Sequence, residues 1–331
     1  MQLIDSFGRT INYVRLSVTD RCDLRCVYCM AEDMTFLPRA EVLSIEELAT
    51  LGETFVGLGV TKLRITGGEP LIRRGIIDLL QRLGRLPGLK ELCLTTNGTH
   101  LPQYAQAIKD AGVDRINISL DSLSPERFRQ LTRFGDINQV LAGIKAAQAA
   151  GFKRIKLNCV ALKHYNADEV PVLVQFALDE GLDISFIEEM PLGRIDEHGR
   201  AAEFVSSDEL RSAISQYHAL QPVFSKGDDN AGPARYWQAS GYDSRIGFIS
   251  PHSNNFCSSC NRVRVTATGR LLLCLGQENS VDLREALRAS ENPQQDVRTR
   301  IINAMQHKPE KHTFDLDNEP QIVRFMNMTG G

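Results

Sequence analysis

Between residues 10 and about 190 the chain alternates short β-branched runs with longer amphipathic stretches, and no other feature limits its fold so tightly. The runs at 13–19, 62–66, 91–95, 115–119, 154–160 and 184–189 read as strands. The segments between them, 44–58, 75–83, 101–111, 138–150 and 167–180, repeat apolar residues at helical spacing. Ser44 followed by Glu47 forms a capping-box signature, and Gly112, Gly151 and Gly181 fit helix stops. Strand–helix units without hairpin signals require a parallel sheet with right-handed crossovers. Six of them predict an α/β fold with a partial (β/α)6, TIM-like barrel. In such barrels ligand-handling residues stand at the C-terminal ends of strands and in the loops beyond.

The pattern breaks after Pro191. A polar stretch at 193–199, a helix near 207–217, a linker-like segment at 225–232 and strand-like runs at 236–239, 263–266 and 271–275 follow, before a last helix at 297–305. These predict a smaller C-terminal α+β domain, with the division placed between residues 1–225 and 226–331. A chain of 331 residues accommodates one large domain and a smaller companion. The formal charge of −3 leaves no electrostatic footprint for nucleic acid, so an anionic ligand must be held by a local group of arginines. The N-terminus lacks the charged and apolar pattern of a signal peptide, and no apolar run reaches membrane-spanning length. A cytoplasmic protein without a membrane partner is expected, as a monomer or homodimer.

The eight cysteines are clustered rather than spread. Cys22, Cys26 and Cys29 lie in one loop directly after the first strand, three thiolates in eight residues. Thiolates are what iron–sulfur clusters select, and three ligands for four irons leave one iron open. Zinc ordinarily takes four ligands, and no fourth lies nearby. Cys257, Cys260 and Cys274 repeat the triad near the other end. Alone, that second group suits zinc, with His252 as fourth ligand, or a redox pair, as well as a cluster. Cys93 and Cys159 fall inside expected strands and read as buried core thiols.

The spacing of the first triad, with Tyr28 before its last cysteine, resembles the radical S-adenosylmethionine (SAM) superfamily. The run Thr66-Gly67-Gly68-Glu69-Pro70 after the second strand resembles that superfamily's glycine–glycine–glutamate motif. The resemblance implies that a [4Fe-4S] cluster on the first triad binds SAM and cleaves it to a 5′-deoxyadenosyl radical, with Tyr28 at the adenine and Glu69 at the amino group. Two triads, with Arg262-Val263-Arg264 attached to the second, resemble more narrowly the GTP 3′,8-cyclase family, whose product leads to the molybdenum cofactor. Matching segments are 11–29, 63–71, 94–98, 117–122, 156–158, 188–191, 256–264 and the terminal Gly330-Gly331.

That family resemblance implies a second [4Fe-4S] cluster on Cys257, Cys260 and Cys274 that meets the guanine of GTP. It implies SAM contacts at Gly68, Ser119 and Met190, and GTP contacts at Arg15, Arg64, Thr95, Lys156, Arg262, Val263 and Arg264. Gly330 and Gly331 are implied to reach the active site and, with Arg262 and Arg264, to be needed for activity. The implied partners are an electron donor such as flavodoxin and, downstream, cyclic pyranopterin monophosphate synthase. The chain has no Walker-type loop, so side chains from several strands must neutralise a triphosphate. The rival reading is a radical SAM maturase that modifies a peptide and carries an auxiliary cluster.

Overall fold

The computed structural model describes residues 2–195, 198–223, 232–316 and 322–330. Six parallel strands form its centre: β1 (Tyr13–Ser17), β2 (Lys62–Thr66), β3 (Glu91–Thr96), β4 (Arg115–Ser119), β5 (Ile155–Ala161) and β6 (Asp183–Glu188). The crossover helices are α1 (Ile45–Gly57), α2 (Ile76–Gly84), α3 (Leu101–Asp110), α4 (Pro125–Thr132), α5 (Ile137–Ala149) and α6 (Val170–Asp179). The capping box forms as its residues demand. Ser44 Oγ accepts from the Glu47 amide at 3.1 Å, and the Glu47 carboxylate accepts from the Ser44 amide at 2.7 Å. Leu48, Leu51 and Phe55 on one face of α1 then pack into the core. Helix α4 was not expected: it is short and mostly polar, with only three residues buried.

The C-terminal part continues the same sheet at both ends. After α7 (Arg200–Glu203) and α8 (Ser207–Ser215), strands β7 (Leu220–Val223), β8 (Arg235–Ala239) and β9 (Arg245–Ile249) extend one edge, with β9 parallel to β6. Strands β10 (Arg262–Val265), β11 (Arg270–Leu272) and β12 (Ser280–Asp282) extend the other, with β10 parallel to β1. The described strands run β12-β11-β10-β1-β2-β3-β4-β5-β6-β9-β8-β7, an unclosed barrel. Each edge of the six-stranded barrel would otherwise present unpaired backbone groups, and the added strands cover both. Helices α9 (Leu283–Ala289), α10 (Pro293–Met305) and α11 (Met326–Thr329) complete the described chain. The division expected after residue 225 lies outside the described residues.

The strands alternate with a period of two. On β1, β2 and β10, Val14, Leu16, Leu63, Ile65, Val263 and Val265 join the hydrophobic core. The alternate residues are polar or charged. Register sets Arg15 beside Arg264 on one side and beside Arg64 on the other, and Tyr13 beside Arg262 and Lys62. Cys93 and Cys159 are fully buried, as the sequence leads one to expect.

Candidate active site

The first triad lies on the loop after β1, and the loop after β2 is packed backbone to backbone against it. Gly68 donates its amide to Thr19 O at 2.8 Å, and Glu69 donates to Arg21 O at 2.8 Å. A Cβ on Gly67 would lie 2.9 Å from Thr19 O, and one on Gly68 would overlap Arg21 O. The two glycines are therefore required by the approach of two loops.

Cys22, Cys26 and Cys29 border a cavity with Tyr28, Gly68 and Ser119. The Tyr28 hydroxyl donates to Asp121 Oδ2 at 2.7 Å, and Asp121 Oδ1 accepts from the Val160 amide at 2.9 Å. Burial pushes the Asp121 carboxyl up to about 6 despite these bonds. Glu69 is fully buried, and burial raises it to about 7. Its carboxylate accepts from Leu71 N (2.9 Å), Asn97 N (2.7 Å) and Thr96 Oγ1 (2.9 Å), which braces the β2 loop against the end of β3. The resemblance put Glu69 at the cofactor's amino group; the structure places its carboxylate among protein donors, whereas Gly67 and Gly68 border the cavity. Burial pushes all three thiols up, Cys29 to about 12.

The second triad borders an adjoining cavity. Cys257, Cys260 and Cys274 line it together with Arg15, Arg64, Lys156, Arg262 and Arg264. Val263 packs in the core between its two arginines and borders the same space. Arg262 stacks on the Phe256 ring, 4.9 Å from its centroid. Arg264 Nε has no hydrogen-bond partner among the described residues. Arg64 donates to Tyr13 Oη at 2.8 Å and to Thr95 Oγ1 at 3.1 Å. Thr95 itself borders the first cavity, so this bond crosses between the two.

Burial raises the Cys274 thiol here too, but two other acid groups shift the other way. Burial works against ionising Tyr13, but Arg64, Arg15 and Lys62 outweigh it and bring the phenol down to about 7. Burial likewise opposes the Cys260 thiolate, yet Arg262 and Lys308 hold its thiol below the ordinary value.

Asn158, Ile187, Met190 and Met326 border both cavities, so the triads face one another across a shared wall. The C-terminal segment helps to build that wall. Met326 donates its amide to Cys29 O at 3.3 Å, and Asn327 Nδ2 donates to Asp20 O at 2.8 Å. Gly330, at φ 74°, lies so close to Thr66 that a Cβ would overlap its hydroxyl. Gly331 lies outside the described residues.

The donor sets fit iron–sulfur chemistry. Among the described residues no three Cys, His, Asp or Glu side chains converge as a single ion requires. Each iron of a cube takes its own thiolate, so a cluster does not need that convergence. His252 Nε2 lies 2.8 Å from Glu189 O, so that nitrogen is engaged by the backbone.

Two family models cover most of the chain: the radical SAM superfamily over residues 16–177 and Molybdenum Cofactor Synthesis C over residues 182–314. A GTP 3′,8-cyclase of Saccharophagus degradans is 60% identical over 329 residues, covering 99% of this chain and 98% of that protein. The chain belongs to the GTP 3′,8-cyclase family. A second GTP 3′,8-cyclase, from Pseudomonas entomophila, is 58% identical over 330 residues, again covering 99% and 98%. Membership of the radical SAM superfamily implies SAM and a [4Fe-4S] cluster. The fold also resembles Streptococcus suis SuiB bound to S-adenosylmethionine, with TM-score 0.63, 14% identity, and coverage of 97% of this chain and 78% of that one. Among the described residues no helix is long and apolar enough to cross a membrane.

Sequence reasoning missed Tyr13, Asp121, Asn327 and Lys308, all of which border or support the two cavities of this GTP 3′,8-cyclase family member. Tyr13 lay within reach, two residues before Arg15 on the same strand face. Lys308 carried no local signal.

Proposed function

We propose that the chain converts GTP to (8S)-3′,8-cyclo-7,8-dihydroguanosine 5′-triphosphate, the first step toward the molybdenum cofactor. The observation that carries this is the pair of adjoining cavities, each with a thiol triad, one bordered by carboxylate and thiol groups and the other by cations. When bound, the cluster on Cys22, Cys26 and Cys29 and its SAM supply a 5′-deoxyadenosyl radical that takes hydrogen from C3′ of the ribose. The C3′ radical then closes onto C8 of guanine, and one electron with one proton completes the product.

The chain's own residues bind and orient. Arg264, Arg15 and Arg64 stand side by side on three neighbouring strands, an arrangement of like charges that a bound anion stabilises. A triphosphate is that anion, with Lys156 and Arg262 completing the set. We assign a second [4Fe-4S] cluster to Cys257, Cys260 and Cys274, to hold the guanine against the shared wall. Tyr28, Gly68, Glu69, Ser119 and Met190 are assigned to SAM, and Thr95 and Val263 to GTP. In this assignment residues 1–225 generate the radical and residues 226–331 supply the second cluster. Holding C3′ and C8 together makes ring closure intramolecular, an advantage of about 7–11 kcal/mol in favourable systems. Gly330, packed against Thr66 at the end of β2, and Gly331 are assigned, with Arg262 and Arg264, to the groups needed for activity. Flavodoxin or a similar carrier is the assigned electron donor, cyclic pyranopterin monophosphate synthase the next enzyme, and the cytoplasm, where thiols stay reduced, the compartment.

Anaerobic reconstitution followed by incubation with GTP, SAM and dithionite tests the proposal by mass analysis. A cyclised dihydro-GTP formed together with 5′-deoxyadenosine is the expected result. SAM cleavage that leaves GTP unchanged would exclude it.

A further inference from the structure

Lys308 is 2% exposed and lies just beyond α10, far in sequence from every motif. Its ammonium has three protons, and all three find acceptors: Leu273 O at 2.5 Å, Arg262 O at 3.1 Å and Cys260 Sγ at 3.7 Å. Leu273 immediately precedes Cys274, and Arg262 follows Cys260 by two residues. One buried cation therefore ties together the two chain segments that carry these cysteines.

Burying an ammonium is costly unless an anion accompanies it. Two carbonyl dipoles satisfy its hydrogen bonds but do not cancel its charge. The charged groups that act most on Lys308 are the Cys260 and Cys274 thiols and the Arg9 and Arg262 cations. The anions available to it are the two thiolates, which are charged when they ligate iron. Arg9 reinforces the same edge, donating from Nη1 to Cys257 O at 2.8 Å.

We propose that Lys308 is a positioning residue for the second cluster, holding the Cys260 and Cys274 arms together and raising the cluster's reduction potential through the hydrogen bond to Cys260. The inference rests on the two-cluster reading above. Each added electron makes a cluster more negative, so a fixed cation hydrogen-bonded to a ligating sulfur favours the reduced form. Near the first triad stand carboxylates instead, Asp121 and Asp23, with Asp23 Oδ1 3.8 Å from Cys22 Sγ. The two clusters are thereby set apart in potential, the second being the easier to reduce.

The test is a potentiometric titration of the holoenzyme followed by electron paramagnetic resonance. The Cys22→Ala variant identifies which signal belongs to the second cluster. Lys308→Met is expected to lower that cluster's potential by about 60 mV, a tenfold change in its one-electron equilibrium. Lys308→Arg, which keeps the charge, is expected to stay close to wild type. If Lys308→Met cannot hold the second cluster while Lys308→Arg can, the need for a cation is supported at assembly. An unchanged potential in Lys308→Met, or an equal shift or equal loss of iron in both variants, overturns the proposal. Wild-type protein with only four irons per chain removes the second cluster itself, and this role with it, before any variant is made.

Discussion

The two cavities are built from the same sheet and each carries three cysteines, yet only the second holds acids below their ordinary values. Around Cys22, Cys26 and Cys29, burial raises Asp121 to about 6, Glu69 to about 7 and all three thiols. Around Cys257, Cys260 and Cys274, burial still raises the Cys274 thiol, but cations bring the Tyr13 phenol down to about 7 and hold Cys260 below its ordinary value. The first cavity, bordered by Asp121, Glu188 and Glu189, suits a positively charged ligand such as a sulfonium with its ammonium, and the second, bordered by arginines and lysines, suits a polyanion. Identical ligand types in two places therefore do not mean identical chemistry. The neighbours contributed by other strands decide it.

The largest test of this division is to remove one ligand from each triad. Cys22→Ala should abolish 5′-deoxyadenosine formation, whereas Cys260→Ala should keep some SAM cleavage and lose GTP cyclisation; chromatography of both products checks the split. Normal cyclisation by Cys260→Ala would erase the distinction.

Gly68→Ala should act on one side only. Its new methyl would overlap Arg21 O, an overpacking expected to cost about 1–3 kcal/mol and to disturb the loop that carries Cys22. Iron should fall by about half as the melting temperature drops, and full iron content would show that the loops can move apart.

Arg264→Ala should leave iron untouched and weaken GTP by about 10–100-fold, the range of a charged hydrogen bond worth about 1.5–3 kcal/mol. Calorimetry with anaerobic enzyme measures this, and unchanged affinity would take Arg264 out of the substrate site.

The smallest effect concerns Tyr13. Its folded value lies below the unfolded value of 10, so the phenolate is favoured in the native state. The stability this gives is full above pH 10 and is lost as pH falls through about 7. Tyr13→Phe should therefore show near pH 6 only the deficit of the lost Arg64 hydrogen bond, and fall progressively further behind wild type toward pH 10 in denaturant midpoints. GTP should push the phenol back up, because the arginines then have another anion, and ultraviolet difference titration would detect that shift.

Both triads, the six parallel strands and the glycine pair were legible in the chain because each depends on local spacing or on a period of two or three to four residues. Strands β7, β9 and β12 were not, since runs of three to five residues with mixed polarity give too little periodicity to distinguish them from loops. The role of Glu69 illustrates the same limit. Its motif was visible, but the bonds from Thr96 and Asn97 that turn its carboxylate inward come from a different strand.

The amino-acid sequence by itself determined which thiols are grouped, which residues alternate toward the barrel interior, and that the fold would be a partial barrel of strand–helix units. Only the tertiary structure decided that residues 262–265 pair with β1, that Arg264, Arg15 and Arg64 become neighbours, and that Lys308 reaches Cys260. The physical reason is range. Periodicity and capping act within a few residues, whereas the electric field in each cavity is summed over strands and loops brought together from nearly the whole length of the chain.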